Sequence, residues 1–272
     1  MAVLGEKVAR IAVTDRCALL LVPLLRESEI AVAVSEFRCV HRPDIGKGGW
    51  SNTPGAIVTD DSNQGDLFLY IAGPDTDMVS VMDAESRGDS EVFGEVLGVP
   101  SCCRTAYSEY SELMREVQND PVPQTAWRTT SPPPHPSWNN IAAQYFGYSL
   151  LSFAPCSLDC IAAQEHSKLS YDRLVSIDAE FAARFYSRHD SNIIYSEYEG
   201  IHRFVGDSNF DGEFLHYTSV DSTTKSKLRT ELNFGDTLRF LDTSRFEIYA
   251  GSRLVSSWGG QEDTSVALFF CR

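Results

Sequence analysis

Four cysteines form two pairs along the chain, and each pair comes shortly after a proline. Cys102 and Cys103 lie in a Val-Pro-Ser-Cys-Cys run, and Cys156 and Cys160 lie in an Ala-Pro-Cys-Ser-Leu-Asp-Cys run. Proline is common in the first turn of a helix, where its missing N–H would have no partner anyway. Both pairs are therefore predicted at helix N-termini, where free N–H groups and the helix dipole favour negatively charged thiolates.

The spacing of the second pair predicts Cys156 and Cys160 on one face of a single helix, because residues four apart lie above one another. Two thiolate pairs at two helix starts are expected to converge on one metal ion or cluster. Tetrahedral sulfur ligation suits Zn²⁺ or an iron–sulfur cluster, and we expect a 4Fe–4S cluster first and zinc as the alternative. If the cysteines were only buried apolar residues, their shared position at helix starts would be unexplained. Cys17, Cys39 and Cys271 lie in apolar runs or strands and are interpreted as structural.

The net charge and the N-terminal sequence limit the class of partner and the cellular compartment that we expect for this protein. The 272 residues carry a formal net charge of −15, and no run of lysine and arginine interrupts it, which argues against general nucleic-acid binding. The apolar stretch at residues 17–25 is too short to span a bilayer, and the N-terminus fits a signal peptide poorly. We therefore expect a cytoplasmic protein with no membrane association, in which clustered cysteines favour metal or redox chemistry over disulfides.

Three segments with different patterning predict an α+β fold. Residues 1–95 mix short β-branched runs with Gly/Pro-rich breaks, which predicts a mixed α/β segment. Residues 96–190 are predicted to hold central helices that bear the four cysteines. Residues 191–272 are predicted to form an antiparallel β-sheet, with a hairpin that turns at an Ala-Gly-Ser sequence over 250–252.

The middle segment predicts three helices and one extended linker. The first helix begins with Ser101 as its N-cap. Six prolines between 121 and 136 predict a linker that is not helical, and Ser137 is predicted to cap a second helix. A third helix is predicted from 155 to 189, with an apolar stripe at helical spacing that we expect in the core. The stripe consists of Tyr171, Leu174, Ile177, Phe181 and Phe185.

The motifs around the two pairs resemble those of a functionally uncharacterised prokaryotic family. Its members carry G-[YV]-P-x-C-C, then H-P-x-x-N, then P-C-S-x-D-C, and similar runs lie between residues 97 and 160, with valine at position 99 where tyrosine is expected. The resemblance implies that the cysteines, His135 and Asp159 belong to one site, and it implies no reaction. The ligand set is also similar to the paired cysteines plus CxxC of cobalamin-independent epoxyqueuosine reductases, although the second spacing here is CxxxC.

Two further residues are candidates for catalysis. His135 lies in a Pro-Pro-Pro-His-Pro run, and a histidine on such a rigid loop suits proton transfer or metal ligation. The alternative is a loop residue exposed to solvent. Asp159 lies between two of the thiols, and its alternative role is to stabilise a helix start.

These features favour a metal- or iron–sulfur-dependent enzyme, an oxidoreductase or transferase that acts on a small molecule by redox or sulfur chemistry. Specialised metabolism is the expected context, with an electron-donor protein as a candidate partner. Two alternatives stay open: a non-catalytic zinc-stabilised binding module and a thiol–disulfide protein. The last fits least well because a disulfide between adjacent cysteines is strained and a CxxxC pair on one helix face bridges poorly.

Overall fold

The computed structural model describes residues 8–40, 56–58, 65–73, 78–116, 121–206, 208–259 and 266–271. The described residues form two compact units, one up to residue 116 and the other from residue 121 onward. The fold is α+β, as predicted, with an N-terminal α/β part, central helices and C-terminal sheets. The division into three segments stays a prediction. None of the helices within the described ranges is long and apolar enough to cross a lipid bilayer.

The first unit combines one antiparallel sheet, in the strand order β1-β4-β2-β3, with four helices among its described residues. Its elements are β1 (Ala9–Val13), α1 (Asp15–Glu27), β2 (Ala31–Val40), β3 (Ala56–Val58), β4 (Asp66–Ala72), α2 (Met78–Ser86), α3 (Ser90–Val96) and α4 (Ser101–Glu116).

Strand β4 supplies core residues to both faces of this sheet, because successive side chains of a strand point in opposite directions. Leu69 packs in a cluster with Ala18 of α1, whereas Tyr70 packs in a second cluster with Val81 of α2. Both β4 side chains are fully buried. The two helices therefore cover opposite faces of the sheet.

The second unit contains two antiparallel sheets, in the strand orders β12-β11-β10-β8-β7 and β13-β5-β6-β9. Its elements are α5 (Val122–Trp127), two 3₁₀ turns (Ser137–Asn139 and Ile141–Phe146), α6 (Ile161–Ile177), α7 (Ala179–His189), β5 (Ile193–Ser196), β6 (Gly200–Val205), β7 (Asn209–Phe210), β8 (Phe214–His216), β9 (Ser219–Ser222), α8 (Lys227–Phe234), β10 (Thr237–Asp242), β11 (Arg245–Ala250), β12 (Arg253–Trp258) and β13 (Val266–Phe269).

Strand β5 connects the two cores of this unit. Ile194 packs with Leu238 and Ile248 of the five-stranded sheet. Its neighbour Ile193 points the other way and packs in a cluster that includes Leu158. The second face of the four-stranded sheet thus supports the segment that carries Cys156 and Cys160.

The predicted hairpin is confirmed. Strands β11 and β12 pair in antiparallel fashion on either side of Gly251 and Ser252. Gly251 has a φ of 59°, in the left-handed region that glycine enters without strain. Its backbone N–H donates to the carboxylate of Asp236, 3.0 Å away.

Two predictions for the proline-rich region and the helix after it are wrong. Residues Val122–Trp127 form α5, in which Pro123 occupies the first turn and therefore removes no helical hydrogen bond. The predicted second helix is replaced by the two 3₁₀ turns, and Pro136 rather than Ser137 precedes the first of them. Gly147, with a φ of 81°, ends the second turn.

The predicted third helix is also wrong, because it is two helices separated at Asp178. This residue has extended backbone angles, and its side chain accepts a hydrogen bond from the N–H of Phe181 at the start of α7. The break divides the apolar stripe between the two helices, so its residues no longer share one helix face. Ile177 is 70% exposed and Phe181 is 46% exposed, so the stripe does not lie in the core.

Candidate metal centre

The thiols of the two predicted pairs lie together. The Sγ atoms of Cys102, Cys103, Cys156 and Cys160 are all within 4.8 Å of one another. Thiolate sulfur is a strong ligand for zinc, for iron in iron–sulfur clusters and for other soft metals. The four side chains are therefore close enough to hold a metal ion.

The first pair lies in the first turn of α4, as predicted. The backbone N–H groups of Cys103 and Arg104 donate to the carbonyl of Pro100, at 2.9 and 3.0 Å. The helix thus begins at Ser101, which is its first residue and not its N-cap. The thiols of Cys102 and Cys103 are 3.9 Å apart. Cys102 is exposed to solvent and Cys103 is buried.

The second pair does not share a helix face, so that prediction is wrong. Residues 155–160, hereafter the cysteine turn, precede α6, and Cys160 is the residue immediately before its first turn. Cys156 lies at the other end of the turn. Between them Leu158 is fully buried in the core beside Ile193. The burial of this leucine and the hydrogen bonds to its backbone hold residues 155–160 in a turn. The helix that the cysteine spacing predicted therefore does not form.

Two threonines hold the cysteine turn from one side. The Thr125 hydroxyl donates to the carbonyl of Pro155, at 2.8 Å. The N–H of Leu158 donates to Oγ1 of Thr129, also at 2.8 Å. Both threonines are buried. The sequence gives no sign of their role, because neither belongs to a motif and their partners lie about thirty residues further along the chain.

Asn139 holds the cysteine turn from a second direction. Its Nδ2 donates to the carbonyls of Leu158 and Cys160, at 2.8 and 3.0 Å. The neighbouring Asn140 is equally buried. Asn139 is the asparagine of the H-P-x-x-N run, and the structure adds its contact with the cysteine turn.

The two candidate catalytic residues contact each other. His135 is only 2% exposed, so it is not the exposed loop residue that the sequence left open. Its Nδ1 lies 3.2 Å from Oδ1 of Asp159, and the Ser131 hydroxyl donates to Oδ2 of the same carboxylate. Asp159 belongs to the cysteine turn. The structure therefore joins His135 to the segment that carries Cys156 and Cys160.

The protonation state of His135 follows from its burial. Burial lowers the pKa of this imidazole, and the carboxylate of Asp159 opposes that change only in part. His135 is therefore neutral at neutral pH. A neutral ring that contacts a carboxylate through Nδ1 carries its proton there and leaves a lone pair on Nε2.

The backbone of His135 is fixed by a distant part of the sequence. Its N–H donates to the carbonyl of Phe270, at 2.9 Å, and residue 135 forms a parallel bridge with Cys271. Burial raises the pKa of the Cys271 thiol, which stays protonated. This agrees with the structural role expected for Cys271, whereas Cys17 is exposed on α1.

Comparison with protein-family models, with curated proteins and with solved structures finds no match for this chain. The candidate site is therefore defined by the four thiols and by the residues that hold the cysteine turn.

Proposed function

We propose that the protein binds one metal ion through Cys102, Cys103, Cys156 and Cys160 and uses it in an enzymatic reaction on a small molecule. The proposal is supported above all by the spacing of the four sulfurs, within 4.8 Å of one another. Metal–sulfur bonds of about 2.3 Å place the sulfurs of a tetrahedral site about 3.8 Å apart. In a 4Fe–4S cluster each thiolate binds its own iron, so the sulfurs stand farther apart. The spacing favours a single ion, with Zn²⁺ as the first candidate and the iron–sulfur cluster as the alternative.

The unequal exposure of the thiols supports a reaction at the ion. Cys103 and Cys160 are buried, Cys156 is half-buried and Cys102 is exposed. Cys103, Cys156 and Cys160 would hold the ion. Cys102, which faces solvent, would be the ligand that gives its place to a substrate atom. A bound Zn²⁺ would supply Lewis-acid polarisation of the substrate.

His135 is the proton carrier in this proposal. The Asp159 carboxylate orients the ring through Nδ1, as carboxylate–histidine pairs do in many metal sites. The lone pair on Nε2 is then available to accept a proton from the substrate. Asp159 lies between the two thiols of the cysteine turn, so the proton carrier is tied to the segment that supplies half of the metal ligands.

A non-catalytic zinc-stabilised module is the second candidate. It is favoured by the number of thiolates, since structural zinc sites have four protein ligands and catalytic sites keep one position open. The variant Cys102→Ser separates the two candidates. An exchangeable Cys102 leaves the ion bound by three thiolates, whereas a closed structural site loses the ion and much of its stability. A thiol–disulfide role would require protein that carries no metal.

The proposal is tested by measuring metal in protein purified without oxygen. We expect colourless protein with one equivalent of zinc by elemental analysis. Cys160→Ser should lose that zinc, and Cys271→Ser, a matched control at another buried cysteine, should keep it. Brown protein with iron and inorganic sulfide would support the cluster instead. Metal-free protein whose four Cys→Ser variants fold normally would contradict both the zinc site and the iron–sulfur cluster.

A further inference from the structure

We infer that Asn139 and Thr129 are positioning residues that hold the cysteine turn in its metal-binding conformation before the ion arrives. The inference rests on the proposed function, because it concerns the same site. It adds two residues that act through the backbone of Leu158 and Cys160 and not through the ion itself.

The cysteine turn depends on side chains from elsewhere for its backbone hydrogen bonds. At its centre Leu158 is bonded on both sides, through its N–H to Thr129 and through its carbonyl to Asn139, each at 2.8 Å. The second amide hydrogen of Asn139 reaches the carbonyl of Cys160, at 3.0 Å. A single buried amide therefore fixes the middle of the turn and one of its cysteines.

Thr129 has a hydroxyl whose orientation is determined. It donates its own hydrogen to the carbonyl of Thr125, at 2.7 Å, so an oxygen lone pair is left to accept from Leu158. The Thr125 hydroxyl in turn donates to Pro155, the residue before Cys156. Both threonines are buried, and water does not compete for these bonds.

The consequence for metal binding is a gain in affinity. A ligand pair whose backbone is already fixed loses less conformational freedom when the ion binds. Residues that orient metal ligands in this indirect way typically change metal affinity about 10–100-fold when they are replaced.

The neighbouring Asn140 provides a matched control. It is as fully buried as Asn139, and its Nδ2 also donates to two backbone carbonyls, those of His189 and Ser191, at 2.9 and 2.7 Å. Neither of these carbonyls belongs to the cysteine turn. The variants Asn139→Leu and Asn140→Leu therefore remove the same number of buried hydrogen bonds, but only the first releases the turn.

The test is a Co²⁺ titration of the full chain after removal of its metal under reducing conditions, with Zn²⁺ added in competition. Thiolate-to-cobalt charge-transfer absorption reports binding by the cysteines. We expect Asn139→Leu to weaken Co²⁺ binding about 10–100-fold and Asn140→Leu to stay within about threefold of the parent chain. The melting temperature of the metal-free protein should fall similarly in both. Equal weakening in both variants, or in neither, would overturn the inference.

A second set of variants covers the case in which the leucine variants do not fold. Thr129→Val removes the hydroxyl and keeps the shape, and Thr129→Ser restores the hydroxyl. Ser167→Ala is the control, since it removes another buried hydroxyl, bonded to the carbonyl of Trp138. We expect only Thr129→Val to weaken Co²⁺ binding, and binding as tight as in the parent chain would refute the role of Thr129.

Failure of the inference and failure of the proposed function give different results. If the parent chain binds neither Co²⁺ nor Zn²⁺ through its thiols, the proposed metal site is wrong. If it binds Co²⁺ and the variants bind equally well, the metal site stands and the positioning role is wrong.

Discussion

The thiols of Cys102 and Cys103 lie 3.9 Å apart, although one side chain is exposed and the other is buried. Consecutive residues of a helix point about 100° apart, so adjacent cysteines meet different surroundings. One sulfur of the pair is accessible to reagents in solution, and the other is shielded by the protein.

This difference predicts the order in which the thiols react with iodoacetamide. In metal-free protein Cys102 should be modified before Cys103, which is only 1% exposed, because the reagent reaches an exposed thiol without unfolding. A bound metal ion should slow the modification of Cys102. Cys271 is the internal control and should remain unmodified in folded protein, because it is buried and its pKa is raised. Peptide mapping by mass spectrometry gives the order, and earlier labelling of Cys103 would contradict it.

Leu158→Ala should reduce both stability and metal affinity. Leu158 is fully buried between the two cysteines of the turn, and its loss leaves a cavity that costs about 2–5 kcal/mol. Leu215→Ala removes an equally buried leucine from the other core of the same unit. Urea unfolding should show a similar loss of stability in both, while Co²⁺ titration should show weaker binding only for Leu158→Ala. Equal Co²⁺ affinities would show that Leu158 does not support the turn.

His202 should make the protein less stable in acid. This fully buried residue of β6 contacts the hydroxyl of Ser222, and burial lowers its pKa to about 4 from an ordinary value of 6.5. Below pH 6.5 this histidine is protonated in the unfolded chain, whereas in the folded chain it stays neutral until the pH approaches 4. The stabilisation is therefore complete above pH 6.5 and is lost as the pH falls toward 4, by about 2–3 kcal/mol between pH 7.5 and 4.5.

Urea unfolding of parent and variant chains at those two pH values measures this contribution. His202→Asn should lose less stability on acidification than the parent chain. An unchanged pH dependence in His202→Asn would assign the acid sensitivity to other groups.

His135 should be a neutral Nδ1–H tautomer at neutral pH. Its lowered pKa keeps the ring neutral, and the Asp159 carboxylate favours a proton on the facing nitrogen. Two-dimensional ¹⁵N–¹H spectra of the imidazole rings identify the tautomer directly. Asp159→Asn keeps a carbonyl oxygen that accepts the same hydrogen bond and should preserve the tautomer, whereas Asp159→Ala should alter it. An Nε2–H tautomer in the parent chain would argue against His135 as a base at Nε2.

Two of the sequence signals carried by a few neighbouring residues were reliable. A proline before Cys102 and Cys103 predicted the start of α4, and the glycine at position 251 predicted a hairpin. A local signal was also present at Asp178, a residue type that caps helices. The apolar periodicity on either side of it concealed that signal and predicted one helix where there are two.

The features that sequence did not reveal depend on contacts between distant residues. The spacing of Cys156 and Cys160 fits a helix, but the burial of Leu158 against β5 imposes a turn. Thr129 gains its role from Leu158, which lies far along the chain. No local pattern reports such contacts, because the free energy that fixes them comes from tertiary packing and not from helix or strand propensity.

His135 pairs with residues 270 and 271, so these contacts form only after that part of the chain has been synthesised. Ribosomes add about 5–20 residues per second, so several seconds separate the synthesis of Cys160 from that of Phe270. During this interval strand β13, whose Phe269 belongs to the same core cluster as Leu158, has not yet been made. The cysteine turn is then uncovered while the chain is still attached to the ribosome. The packing that holds Leu158, and with it the cysteine turn, is therefore complete only after β13 has been synthesised.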